Sequence, residues 1–205
     1  MRPVHVFAVV LLLQGCGALS LPEDRAPGAS QAAASSRVPE PLLLRAADGT
    51  LCNAVRIAPA RAATAAHCLE AVGPFVLEAE FGALPVLGTR TNPAYALLDP
   101  AISAAADLAV LRLSPDMGGT VAIASIRPGP AVIHARTPSG ARASRTCNFL
   151  GRAGGLVELE CSVPLGWSGA PVLQDGMLVG IVSSRGRGVT SGITQMAEAV
   201  RINSF

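Results

Sequence analysis

From Pro41 to the end of the chain, short apolar or alternating segments are separated by clusters of Gly, Pro and Asn. Segments of this length, bounded by residues that make turns, are what an all-β sandwich or barrel requires. The spacing predicts strands near 74–81, 108–113, 121–126, 155–161 and 177–183. Helix is confined to an Ala-rich piece at 101–106 and a short terminal piece at 196–202. No internal repeat or heptad pattern appears. With 205 residues, half of them hydrophobic, the chain has material for one domain or two small subdomains. Aromatics are only 3%, so the core has to be built from Val, Leu, Ile and Ala.

The N-terminus carries a different signal. Arg2 is followed by an apolar run over 4–13, interrupted only by His5, and then by small residues, which is a secretory signal pattern. The run is too short for a transmembrane helix, which needs about 20 apolar residues. Two processing readings stand side by side. Leu13-Gln14-Gly15-Cys16 resembles a lipobox, in which Cys16 becomes the lipid-modified first residue, whereas Ala18-Leu19-Ser20 suits an ordinary signal peptidase. Residues 1–20 are therefore read as the signal and 21–40, rich in Pro, Ala and Ser, as a flexible linker before a domain over 41–205. Either processing removes Cys16 from pairing and leaves Cys52, Cys68, Cys147 and Cys161, an even set in an exported chain. The expected address is periplasmic or secreted, with the membrane reached only through a lipid on Cys16. The 16 basic and 14 acidic residues balance to +2 without a basic run, which argues against nucleic acid as a partner.

Three local constellations carry chemistry. Thr64-Ala65-Ala66-His67-Cys68 places an imidazole on a turn beside a cysteine. Gly166-Trp167-Ser168-Gly169-Ala170-Pro171 flanks a hydroxyl with glycines, which permit a tight turn that presents the side chain and backbone amides together. Asp107 opens Asp107-Leu108-Ala109-Val110-Leu111, and a carboxylate at the edge of a buried strand needs a partner such as an imidazole. In chain order these groups run His, Asp, Ser.

The three motifs resemble those of the trypsin and chymotrypsin family, and the order is that family's order. The resemblance covers most of the domain but is sharp only at the motifs. It implies two packed antiparallel six-stranded barrels with a short C-terminal helix, the first over about 41–115 and the second over about 119–197. It implies a serine endopeptidase acting on proteins or peptides, with His67, Asp107 and Ser168 as the triad and no metal or organic cofactor. The backbone N–H groups of Gly166 and Ser168 would form the oxyanion hole. The substrate pocket would be formed by Ser162, Ser183, Ser184, Arg185, Gly192 and Thr194. The separation of Cys52 and Cys68 matches the family's bridge beside the histidine. The four cysteines allow three connectivities, of which the adjacent one, Cys52 with Cys68 and Cys147 with Cys161, keeps one bridge in each barrel. Their spacing lacks a Cys-x-x-Cys unit, which speaks against zinc.

The sequence also departs from that family. Trp167 stands where family zymogens carry an Asp that pairs with a new N-terminus, and no Ile-Val-Gly-Gly-like start is present. Competence on folding is the expectation. Ser162, at the pocket-floor position, removes the acidic residue that would select Lys or Arg. Two other readings share these residues: a catalytically silent binding or scaffold protein on the same fold, and an esterase using the same triad. His134, in an apolar segment without a motif, is read as structural.

Overall fold

A computed structural model of the chain describes residues 38–80, 82–96, 100–114, 119–185 and 192–205. The signal, the lipobox cysteine and the linker up to residue 37 lie outside the described residues, as do the side chains of Ser184 and Arg185.

The described residues form one compact unit. Its first closed barrel is built from β1 (Pro41–Ala46), β2 (Leu51–Ala58), β3 (Arg61–Thr64), β4 (Phe75–Ala79), β5 (Gly82–Thr91) and β6 (Ala109–Leu113), in the spatial order β1-β2-β3-β6-β5-β4. The second is built from β7 (Pro130–Arg136), β8 (Arg142–Ala153), β9 (Leu156–Glu160), β10 (Pro171–Gln174), β11 (Met177–Arg185) and β12 (Ile193–Glu198), ordered β10-β11-β12-β9-β8-β7. All neighbouring strands within each barrel are antiparallel. Closure leaves no free edge in either sheet.

Small barrels fill with side chains, and here the filling is aliphatic. Leu44, Ala54, Ala62, Leu77 and Leu111 pack in the first barrel, and Ile133, Val157, Leu159, Val172 and Met196 in the second. Each fully buried Leu or Ile contributes roughly 2 kcal/mol. Several strands are buried on both faces, because one face looks into its barrel and the other meets the neighbouring barrel; Pro41–Leu44 of β1 is an example. Clean alternation is lost there for that reason.

Two sequence expectations change. The stretch 121–126, expected as a strand, is the connection between the barrels and makes only an isolated bridge from Ile123 to Leu178. Its backbone is bonded to both barrels, with the Val121 N–H on the Arg56 carbonyl at 3.3 Å and the Leu178 N–H on the Ala122 carbonyl at 2.8 Å. It is apolar because Val121 and Ile126 are buried, not because it joins a sheet. The stretch 196–202, expected as a helix, stays extended to Glu198, since Met196 and Ala197 pair with Val182 and Ile181 to close the second barrel. Only the six residues Ala199–Ser204 turn, as a 3₁₀ helix. The Ala-rich piece does form a helix, α1 (Pro100–Ala105), one residue from its expected place. Among the described residues no helix is long and apolar enough to cross a membrane.

Candidate active site

β3 ends at Thr64, and the chain turns into the 3₁₀ helix Ala66–Leu69, which presents His67. The turn is held covalently: Cys68 is bonded to Cys52 on β2, and both sulfurs are buried. α1 delivers the second group. Its end is closed by the Asp107 N–H on the Ala104 carbonyl at 3.2 Å, so that Asp107 emerges at the start of β6. One carboxylate oxygen of Asp107 accepts the His67 backbone N–H at 2.8 Å, and the other lies 2.7 Å from His67 Nδ1. The second oxygen also accepts the Ser183 hydroxyl at 2.6 Å, a bond that reaches from β11 of the other barrel.

Asp107 is nearly sealed, with 5% of its side chain exposed, while His67 retains 32%. A carboxylate this buried needs donors on both oxygens, and it has them. Burial works to lower the His67 pKa. The hydrogen bond that His67 donates to Asp107, the charge of Asp107 and the charge of Glu70 outweigh it, and the net direction is upward from the ordinary value. Glu70 is itself held by the Tyr95 hydroxyl at 2.5 Å. Burial, that hydrogen bond and the charges of Asp107 and Glu70 raise the Tyr95 pKa as well.

Ser168 lies on the turn between β9 and β10, half-buried. Gly166 and Gly169 on either side have φ of +86° and +78°, a region open to glycine and costly for other residues. Gly169 has a second reason to be glycine. A Cβ there would sit 2.0 Å from the Asn53 carbonyl oxygen and 2.4 Å from Thr64 Oγ1. The Gly169 N–H bonds to the Val182 carbonyl at 2.8 Å and the Ala170 N–H to that of Trp167 at 3.0 Å. The N–H groups of Gly166 and Ser168 donate to nothing among the described residues. Trp167 is buried in the core of the second barrel.

The nucleophile turn is tied to the histidine turn through β2. The Asn53 N–H donates to the Ser168 carbonyl at 2.6 Å, and its side-chain amide to the Gly166 carbonyl at 2.8 Å. Cys52, the preceding residue, carries the bridge to Cys68. His67, Asp107 and Ser183 thus form one bonded cluster, and Ser168 is attached to its framework by backbone. The expected line from imidazole to hydroxyl is incomplete: Ser168 Oγ makes no hydrogen bond among the described residues, and His67 Nε2 has Cys68 Sγ at 3.8 Å. Such contacts are commonly loose without substrate and tighten in the complex.

Of the expected pocket residues, Ser183 has its hydroxyl on Asp107. Thr194 is buried, with its hydroxyl on the Cys161 carbonyl at 2.9 Å, next to exposed Ser162. Gly192 is half-buried with φ of +126°. The second bridge, Cys147 to Cys161, joins β8 to the segment leading to Ser162. His134 is half-buried on β7, where burial lowers its pKa. Cys52, His67 and Cys68 lie close enough to share a metal ion, but both sulfurs are spent in the disulfide. A cavity of about 520 Å³ on the first barrel, lined by Arg61, Arg90, Arg112, Val110 and Phe205 among others, includes none of the candidate triad. Sequence reasoning missed Asn53, Glu70 and Tyr95. An amide inside the apolar run Leu51-Cys52-Asn53-Ala54-Val55 was the available signal for the first.

No protein-family model and no curated protein sequence matches the chain. Solved structures do. An active form of the Rv3671c protease from M. tuberculosis has a TM-score of 0.66 at 15% identity, covering 82% of this chain and 79% of that one. The inactivated protease paralogue S-I1 of the scabies mite reaches 0.68 at 15% identity, over 82% and 92%. A thermostable serine protease, AL20, from an extremophilic microorganism gives 0.63 at 15% identity, over 80% and 91%. The shared architecture is the two-barrel, chymotrypsin-like fold of serine proteases, which in these examples carries both active and inactivated members.

Proposed function

We propose that this protein is a serine endopeptidase that cleaves peptide bonds through His67, Asp107 and Ser168. The observation that carries the reading is the double engagement of His67 by Asp107, at the backbone N–H and at Nδ1. A carboxylate on Nδ1 selects the tautomer protonated there and leaves Nε2 as the base. The two unengaged N–H groups of the nucleophile turn supply what an oxyanion needs, donors without prior partners.

In the proposed reaction Ser168 Oγ attacks the peptide carbonyl while its proton passes to His67 Nε2. The carbonyl electrons move onto the oxygen, between the N–H groups of Gly166 and Ser168. Collapse breaks the C–N bond, and the imidazolium gives its proton to the leaving amine. Water, deprotonated by the same imidazole, then releases the acyl group. Trp167 offers a packed anchor for the turn in place of an ion pair, which fits activity on folding without a cut N-terminus. The two disulfides fit an oxidising compartment, so an exported enzyme is the setting proposed.

One observation favours a second reading. Ser168 Oγ is unbonded to His67, and the fold is shared with an inactivated paralogue, so a silent binding protein is the alternative. Reaction with a fluorophosphonate separates the two, because only an activated serine is labelled. The expected outcome is labelling of the wild type, its loss in Ser168→Ala, and a fall in kcat on a casein-like substrate by about 10⁶. Cleavage by the variant at the wild-type rate would remove Ser168 from the mechanism. Parallel assays with a peptide and its ester analogue separate peptidase from esterase action.

A further inference from the structure

Asn53 lies in the middle of β2 with 0% of its surface exposed. A primary amide sealed from water is destabilising unless its donors and its acceptor are bonded, and here they are. Nδ2 donates to the Gly166 carbonyl at 2.8 Å and more weakly to the Arg136 carbonyl at 3.3 Å. Oδ1 accepts the Arg136 N–H at 2.6 Å. The backbone N–H holds the Ser168 carbonyl at 2.6 Å, and the backbone carbonyl receives the Thr64 hydroxyl, also at 2.6 Å. A residue of the first barrel is therefore bonded mainly to the second.

An aliphatic side chain here would leave the Arg136 N–H and the Gly166 carbonyl without these partners, and the amide meets both. What the amide adds is direction. Two of the carbonyls that Asn53 holds belong to Gly166 and Ser168, on either side of Trp167. A carbonyl fixed in space fixes the plane of its peptide, which it shares with the N–H of the next residue. With both planes set, the Trp167–Ser168 peptide between them has little freedom, and the Ser168 N–H that it carries keeps a constant aim, while the Gly166 N–H lies one residue ahead of the first held plane. Trp167 anchors the middle of the segment in the core of the second barrel.

We infer that Asn53 is a positioning residue for the oxyanion turn, clamping the carbonyls of Gly166 and Ser168 so that the Ser168 N–H between them stays aimed at the developing negative charge. The inference rests on the serine hydrolase reading above. Adjacent residues of β2 then serve both turns, since Cys52 secures the histidine turn through its disulfide and Asn53 secures the serine turn.

The test uses Asn53→Asp and Asn53→Ser in the full chain. Aspartate keeps the acceptor for the Arg136 N–H and replaces the donor facing Gly166 with an oxygen. Serine is neutral and too short to reach, which covers the case in which the buried carboxylate prevents folding. Each variant is assayed well below its own Tm on a peptide substrate, and the Kd for a peptide boronic acid, whose tetrahedral adduct places an oxygen in the oxyanion position, is measured alongside. The expected result is a kcat lower by about 10²-fold, the scale of an ångström of misplacement, with KM within about twofold and boronate affinity reduced in parallel with kcat. An unchanged kcat in a folded variant overturns the inference. So does a loss of kcat without loss of boronate affinity, or a loss that disappears on cooling. Failure of the wild type to react with fluorophosphonate is a separate result, and it overturns the hydrolase reading together with this one.

Discussion

In the first barrel, His67 and Asp107 are set by charge and hydrogen bonding: a buried carboxylate with three donors and an imidazole whose pKa is raised against its own burial. In the second barrel, Ser168 is set by backbone shape, between glycines at positive φ and beneath a packed Trp167. The first arrangement fixes a protonation state and the second fixes a position. The contacts that cross between them, from Ser183 to Asp107 and from Asn53 to the nucleophile turn, let each barrel correct the other's geometry. Substitutions in the first barrel's site should therefore alter pH dependence, and those in the second should alter kcat with the pH profile intact.

The largest effect expected within this contrast is that of Asp107→Asn. The amide can hold the His67 backbone N–H but presents its own N–H toward Nδ1 or the Ser183 hydroxyl, which favours the wrong tautomer. On the precedent of the Ser-His-Asp template, kcat at neutral pH should fall by about 10⁴-fold while the fold persists. Full activity in this variant would detach Asp107 from the chemistry and with it the electrostatic half of the comparison. A smaller and more discriminating effect comes from the disulfides. They close loops of similar size, with sequence separations of 16 and 14, so loop-closure entropy assigns each about 3 kcal/mol. Replacing Cys52 and Cys68 together by Ala, or Cys147 and Cys161 together, should thus lower Tm by comparable amounts. Only the first pair links β2 to the histidine turn, and its loss should further lower kcat, on the order of tenfold, when both variants are assayed fully folded. Equal losses of activity would mean that the bridges are interchangeable staples.

The chemistry of the site is more legible in the sequence than the packing that supports it. Turn residues mark strand ends, and motifs such as Thr64–Cys68 and Gly166–Pro171 are local, so a single stretch of chain states both the group and the shape that presents it. The residues 121–126 and 196–202 mislead because apolar character reports burial without saying what does the burying. One stretch is pressed between barrels, and the other is captured as a closing strand by β11. Resemblance alone puts Ser183 in the pocket, and its tie to Asp107 depends on a contact between residues 76 apart in the chain. The role of Asn53 is hidden for the same reason. An amide inside an apolar run signals a need for partners, but Arg136 and Gly166 lie 83 and 113 residues away and the run does not say which groups they are.

The smallest effect tests the electrostatic half directly. The chain has three histidines, and His5 lies in the expected signal, so the exported domain would hold one in each barrel. His67 has acidic neighbours that raise its pKa despite burial, whereas His134 is lowered by burial. Histidine titration followed by NMR should show one resonance above the ordinary value of about 6.5 and one below. Neutral His67 is the proposed base, so kcat/KM should climb as pH rises through the His67 pKa, and the raised value places that climb on the alkaline side of 6.5. Glu70→Gln removes the last of the contributions that raise it. The climb should then move to lower pH, with kcat on the plateau nearly unchanged because Asp107 still selects the tautomer. His134→Gln should leave the climb where it was. A shift with the second substitution and none with the first would reassign the controlling histidine to the second barrel and reverse the division of labour between the two.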